Sequence, residues 1–281
     1  MADIKITCDS ASDLPQVLLN RYRIDVLPLG VQLGTDFRYD RVNIDNGELF
    51  DYAQDSGEIP KICPVSVENY RRCFEHYTKD GSEVVHVSLS GALSGCYRNA
   101  CIAAQQTGGV HIVNSESAST GLGQLTLLAA ELANADYLPG EIIAALDEMK
   151  KRLDVSFVLQ NPEYLHCGEA RGQLAALGSR LFRLHPQILL ANGAIHHGRA
   201  FRGDMERSIL DYVRSRIDIG PHIQTDRIFV THSGVPRSIL DKVFALLRQL
   251  QPFEEIWEAP AASAVSFRCG PGCLGLSFLR S

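Results

Sequence analysis

The stretch Val84-Val85-His86-Val87-Ser88-Leu89-Ser90-Gly91-Ala92-Leu93-Ser94-Gly95-Cys96-Tyr97-Arg98-Asn99-Ala100 constrains the fold more than any other part of the chain. An apolar β-branched run, a sharp polar stop, a Ser/Gly loop and an Ala-rich run spell a buried strand, a turn and a helix, with Ser94 as candidate N-cap. Where such units recur, parallel strands stack under crossover helices. They recur here. Strand-like runs at Ile4–Cys8, Ile24–Leu33 and Val110–Val113 alternate with helical runs at Pro15–Tyr22, Asp45–Asp51, Ser66–Tyr77, Cys96–Gln106, Leu122–Ala133 and Pro139–Arg152. This predicts a parallel α/β domain over residues 1–153.

The texture changes after Leu153. Phe157–Leu159, Gln187–Leu190, Ala194–His197, Ala200–Arg202 and Ile228–Thr231 read as short strands, and Asp204–Ile217 and Pro236–Leu250 as helices. Asn192-Gly193 between apolar runs is a hairpin signal, and His197-Gly198-Arg199 reads as a second break. Gly168–Gly178 is a polar and Ala-rich connection, and Glu254–Leu279 is expected to hold further short strands. Residues 154–281 are therefore expected to form a second, mixed α+β domain. The fold class is α/β with two domains.

With 281 residues and 45% hydrophobic composition, the chain can build one large core or two modest ones. The net charge of -6 is well mixed, which argues against nucleic acid or an anionic membrane surface as partner. No apolar run is long enough to span a bilayer, and Met1-Ala2-Asp3-Ile4-Lys5 leads straight into a strand rather than a signal peptide. A cytoplasmic location is expected. The eight cysteines show no CxxC pair and no zinc-type spacing, so buried thiols are expected rather than disulfides or a metal site.

The strand-to-helix junction at Ser94 aims unpaired backbone N–H groups at one point, a seat for a carboxylate or phosphate. It is equally the ordinary βα turn of any α/β protein, and both readings stand on the residues alone. Ser94 as a hydrolase nucleophile lacks the flanking glycines of a nucleophile elbow, because Ala92 and Cys96 occupy those positions. His232 with Asp9 or Asp13 is the candidate base and orienter for such a serine. Asp9-Ser10-Ala11-Ser12-Asp13 offers helix caps or a cation site, with Asp13 as candidate cap of the Pro15 helix. His196-His197 face opposite ways on a strand and suit the surface better than a shared metal. Gly270-Pro271-Gly272-Cys273-Leu274-Gly275 matches GxGxxG literally but in the wrong context. A tight glycine turn before a last strand is expected, with Gly270 bringing backbone close to a ligand.

Together these segments resemble the DegV family of bacterial fatty-acid-binding proteins. The carriers of the resemblance are Thr7-Cys8-Asp9-Ser10-Ala11-Ser12-Asp13-Leu14-Pro15, Ser90-Gly91-Ala92-Leu93-Ser94-Gly95-Cys96-Tyr97, Asn114-Ser115-Glu116-Ser117-Ala118-Ser119-Thr120-Gly121-Leu122-Gly123 and Arg268-Cys269-Gly270-Pro271-Gly272-Cys273-Leu274-Gly275. The resemblance implies a long-chain fatty acid in a tunnel between two domains, its carboxylate near Ser94. It also implies a non-catalytic carrier that presents the carboxylate to an ATP-binding fatty acid kinase subunit and needs no cofactor. Three headgroup positions depart from the family pattern: Ile62 stands for a threonine, Cys96 for a threonine and Arg268 for a histidine. Ser94 and Arg268, helped by the Gly95 and Cys96 N–H groups, are therefore expected to hold the carboxylate, with Arg268 as a permanently charged clamp. Arg171 and Arg202 match the family's partner-docking arginines. Phe157, Leu159, Leu165 and Ile188 are candidates for the tunnel wall. The alternatives are a small serine esterase using Ser94, or a carrier of a different anionic amphiphile.

Overall fold

Parallel strands need long crossovers, and the first half of the chain supplies them as helices. The computed structural model describes residues 3–161, 184–217 and 223–281. The expected layer forms from β1 (Ile4–Asp9), β2 (Asp25–Leu27), β6 (Glu83–Ser88) and β7 (Val110–Asn114), in the order β2-β1-β6-β7 and all parallel. Its crossovers include α1 (Gln16–Tyr22), α3 (Val67–Thr78) and α4 (Cys96–Thr107). The inner strand β6 is buried after its first residue and reads as a near-continuous Val run, whereas its neighbour β1 alternates Ile4, Ile6 and Cys8 with Lys5 and Thr7.

The expected single strand over Ile24–Leu33 is two strands in different sheets. After β2 the chain passes Pro28 and starts β3 (Gly30–Leu33), which pairs antiparallel with β4 (Asp36–Tyr39) and β5 (Lys61–Cys63). Proline cannot donate to a ladder, so the apolar run changes sheet there. This small sheet and α2 (Asn46–Ser56) enclose a separate cluster of Val31, Ile44, Leu49 and Phe267.

Two further helices, α5 (Ser119–Asn134) and α6 (Pro139–Lys150), precede the mixed sheet. That sheet runs β10-β9-β8-β13-β11-β12, built from β8 (Leu153–Val158), β9 (Leu184–Ala191), β10 (Ala194–Arg202), β11 (Arg227–His232), β12 (Glu255–Pro260) and β13 (Leu274–Leu279). Only β11 and β12 pair parallel in it; its other pairs are antiparallel. Asn192 (φ 51°) and Gly193 (φ 78°) make the expected hairpin turn. His197-Gly198-Arg199 is not a break between strands but a register shift inside β10, because the Gln187 side chain accepts from the Arg199 N–H at 3.2 Å and spans the bulge. The helices α7 (Met205–Ile217) and α8 (Arg237–Leu250) pack on this sheet around Tyr212, Val243 and Leu276.

The tail is not made of strands alone. It contains α9 (Ser263–Cys269), between β12 and β13.

The helix α5 lies between the parallel and the mixed sheets and is buried on nearly every side from Ser119 to Leu127. Two glycines allow this. A Cβ at Gly123 would stand 2.7 Å from the Ser12 carbonyl oxygen, and one at Gly121 would collide with Val155 and Ser117. The side chains of Gln124 and Thr120 reach the mixed sheet, at 3.2 Å from Ser277 Oγ and 2.9 Å from Thr231 Oγ1. Cys8, Cys63, Cys73, Cys96, Cys101, Cys269 and Cys273 are thiols. Cys167, Leu165, Arg171 and the Gly168–Gly178 connection fall outside the described residues.

Candidate functional site

A narrow cleft of about 570 Å³, counting the space at its open mouth, runs where the two large sheets and the small sheet meet. Leu29 and Ile62 come from the small-sheet side, Leu89 and Leu93 from the loop after β6, Phe157 from β8, and Ile188, Leu190 and Ile195 from the β9–β10 hairpin. Ala264, Val265, Arg268 and Cys269 of α9 form one wall. Ser119 and Arg268 are the polar side chains among the described lining residues, and Arg268 is the charged one.

Arg268 sits on the loop singled out in the sequence. Its Nη2 donates to the Leu93 carbonyl at 3.3 Å, one residue before Ser94. Ile62 and Arg268 thus line the cleft, whereas Ser94, Gly95, Cys96 and Gly270 adjoin it without lining it. Ser94 is not the N-cap of α4. That position falls to Gly95, which offers no side chain. The Ser94 hydroxyl instead lies 3.3 Å from Cys96 Sγ and accepts from the Cys96 N–H at 3.3 Å, so this N–H is engaged within its own loop. Cys96 points inward against Tyr70, and burial pushes its thiol up to about 12. Gly270 (φ 76°) and Gly272 (φ 72°) form the expected tight turn before β13. Ser233 ties that turn down: its hydroxyl donates to the Gly270 carbonyl and accepts from the Cys273 N–H at 3.1 Å. Of the tunnel-wall candidates, Phe157 and Ile188 line the cleft; Leu159 is buried beside them in the core.

The loop before Ser94 is anchored by Asp9. This buried carboxylate accepts from Tyr70 Oη, from Ser88 Oγ at 2.9 Å and from the Leu89 N–H at 2.7 Å, with His86 Nε2 3.4 Å away. His86 Nδ1 in turn lies 2.9 Å from Thr7 Oγ1. Burial alone would raise the Asp9 carboxyl, but the His86 ring and these hydrogen bonds outweigh it and hold it below the usual carboxylate range. Asp9 is therefore a structural anion that fixes the end of β6.

Asp13 does not cap the Pro15 helix, whose N-cap has no side-chain bond. It adopts a left-handed conformation (φ 50°) and accepts from the Ala262 N–H at 2.8 Å and from Ser119 Oγ at 2.6 Å. Asp40 accepts from Ser10 Oγ at 2.5 Å and from the Ala264 N–H at 3.3 Å. Two buried carboxylates thus cap α9, the helix that carries Arg268. Sequence reasoning saw the Asp-Ser motif as a cap and missed which helix; it missed Asp40 entirely, which carries no local signal. Burial pushes the Asp13 carboxyl up to about 7 and raises that of Asp40.

The proposed hydrolase constellation is not assembled. His232 lies 3.4 Å from Glu258 at the end of β11, Asp9 faces His86, and Asp13 faces α9. His196 and His197 are exposed, as is Arg202 at the end of β10. Among the described residues no cluster of His, Cys, Asp or Glu is fit to hold a metal ion. No described helix is long and apolar enough to cross a membrane.

The DegV family model matches residues 3–281. A fatty acid-binding protein of Thermotoga maritima is 25% identical over 97% of this chain and 96% of its own. A fatty-acid-binding DegV family protein from Thermus thermophilus superposes with a TM-score of 0.86 at 26% identity, covering 99% of this chain and 100% of its own. The Fatty Acid Kinase (Fak) B3 protein of Streptococcus pneumoniae, solved with linoleic acid, shares the fold with a TM-score of 0.84 at 18% identity, over 100% of both chains.

Proposed function

The chain belongs to the DegV family, and from that premise we propose that it carries a long-chain fatty acid in the α9 cleft, between domains 1–153 and 154–281. The observation that carries this reading is a cleft lined almost wholly by apolar side chains, with one guanidinium seated on the Ser94 loop. Each CH₂ removed from water contributes roughly 0.8 kcal/mol, so an acyl chain binds tightly with few polar contacts. Arg268 and Ser94 take the carboxylate, aided by the Gly95 N–H; the carboxylate displaces the Leu93 carbonyl as partner of the guanidinium. Ile62 adds no hydrogen bond and narrows the polar end, and Gly270 supports Arg268 from the turn beyond α9. An Arg clamp at this position is charged at every physiological pH, unlike a histidine.

The protein supplies no nucleophile of its own in this scheme. The bound carboxylate is presented to an ATP-binding kinase subunit and its oxygen attacks the γ-phosphorus of ATP, forming the acyl phosphate as ADP leaves. Arg202, exposed on the edge strand β10, and Arg171 are the docking residues in this reading. Ser94 hydrogen-bonds a thiol and no imidazole among the described residues, which favours a carrier over an esterase.

The test is mass spectrometry of lipid extracted from the purified protein. A stoichiometric free fatty acid is expected, with strong loss in Arg268→Ala and retention in Arg268→His. Unchanged retention in Arg268→Ala removes the clamp. A covalent adduct of a serine-reactive probe on Ser94, with no fatty acid recovered, favours the esterase.

A further inference from the structure

The wall that bears Arg268 is a helix of seven residues, too short to hold itself in place. Its own sequence gives it no cap: Ala262 is the N-cap and offers no side-chain bond. Its first N–H groups are instead met by side chains from far away in the chain. Asp13, 249 residues earlier, takes the Ala262 N–H at 2.8 Å. Asp40, 224 residues earlier, takes the Ala264 N–H at 3.3 Å and also bonds the Ser263 backbone. Asn46 Nδ2 donates to the Ala261 carbonyl at 2.8 Å.

These side chains are themselves fixed. Ser10 Oγ donates to Asp40 and accepts from the Leu29 N–H at 3.1 Å, and Leu29 lines the cleft. Ser119, which also lines the cleft, donates to Asp13 at 2.6 Å from its own left-handed conformation (φ 54°). Asp13 and Ser119 both hold a strained backbone, a cost that the surrounding bonds offset. The fold thus pins one end of α9 to the parallel-sheet half of the molecule, and the helix projects Arg268 from its other end onto the Leu93 carbonyl.

We propose that Asp13 and Asp40 are positioning residues of the ligand site: by capping α9 from the opposite half of the chain they set where Arg268 meets the headgroup and how wide the acyl cleft is. This rests on the fatty-acid reading for its ligand, while the placement of α9 is testable without any ligand.

Two measurements on the full-length protein test it. The first is the rate of Cys269 alkylation by a maleimide, resolved by mass spectrometry. Cys269 is buried on the cleft wall at the end of α9. Asp13→Ala is expected to speed its alkylation about tenfold through loss of a helix cap, and Asp13→Asn, whose amide oxygen still accepts from the Ala262 N–H, to leave it near the wild-type rate. Equal rates in all three proteins overturn the proposal. The second is titration of the delipidated protein with radiolabelled oleate. Asp13→Ala is expected to weaken binding about tenfold, and the loss is expected to shrink in an Arg268→Ala background, because both changes act on one contact. Fully additive losses overturn the proposal, as does lowered thermal stability with unchanged affinity. Should Asp13→Ala fail to fold, Asp40→Ala takes its place in both measurements, with Asp40→Asn, whose amide oxygen still accepts from the Ala264 N–H, as its conservative control. Absence of oleate binding by the wild-type protein sinks the fatty-acid reading and leaves the alkylation result to decide the role of Asp13.

Discussion

Removing one oxygen, as Tyr70→Phe, probes the buried Asp9 network with little disturbance of packing. The ring remains stacked on Phe74 at 5.7 Å and edge-on to His86 at 5.1 Å, so no cavity term arises. What is lost is a hydroxyl that donates to an ionised, fully buried carboxylate. Hydrogen bonds to charged groups contribute about 1.5–3 kcal/mol. Asp9 keeps Ser88, the Leu89 N–H and the nearby His86, so it is weakened rather than orphaned and the expected loss is about 2 kcal/mol. The pH dependence fixes the cause. The folded state holds the Asp9 carboxyl below its ordinary value of 3.8. Stability from this group is therefore fully present above the unfolded pKa and fades as pH falls through the folded one. With one donor gone the folded pKa rises, so acid unfolding begins at higher pH, and the gap between variant and wild type narrows as both approach the acid limb. Urea unfolding at a series of pH values from 7 downward reads both quantities. A destabilisation below about 0.5 kcal/mol, or one independent of pH, would refute the assignment of Tyr70 as a donor to a buried anion.

Three further outcomes follow from the α9 clamp, from α5 and from α6. Asp13 is raised in the folded state to about 7 from 3.8, so its contribution is present at low pH and is lost as pH rises through about 7; Asp13→Asn is expected to flatten the thermal-stability profile between those values, by an amount on the order of 4 kcal/mol at most, and an unchanged profile would sink that assignment. Gly123→Ala is expected to destabilise by roughly 1–2 kcal/mol in denaturant titration, because clash with the Ser12 carbonyl and Leu14 outweighs the gain of about 1 kcal/mol in helix propensity, whereas Gly140→Ala in α6 meets nothing within 4 Å and is expected to be neutral or slightly stabilising.

The parts of this molecule that were legible in its sequence are those whose causes are local. Val84–Val87 reads as a buried strand because both of its neighbours are strands and helices cover its faces, and Asn192-Gly193 makes its hairpin because the two residues tolerate positive φ. Ser66 caps α3 through the Asn69 N–H three residues on. The failures lie where a local signal is completed at a distance. Ile24–Leu33 is one apolar run, and only the layout of the sheets divides it between two of them. The helix α9 has no cap within reach of a sequence window, since its donors meet carboxylates 249 and 224 residues away. Arg268 was visible as a charge where the family pattern has histidine, but its direction depends on that same helix. The Asp-Ser motif, Asp40 and Arg268 are linked through one helix: carboxylates near the start of the chain hold the element near its end that carries Arg268. A mutation at Asp13 should therefore read out at Cys269, although little in the sequence between them hints at the connection.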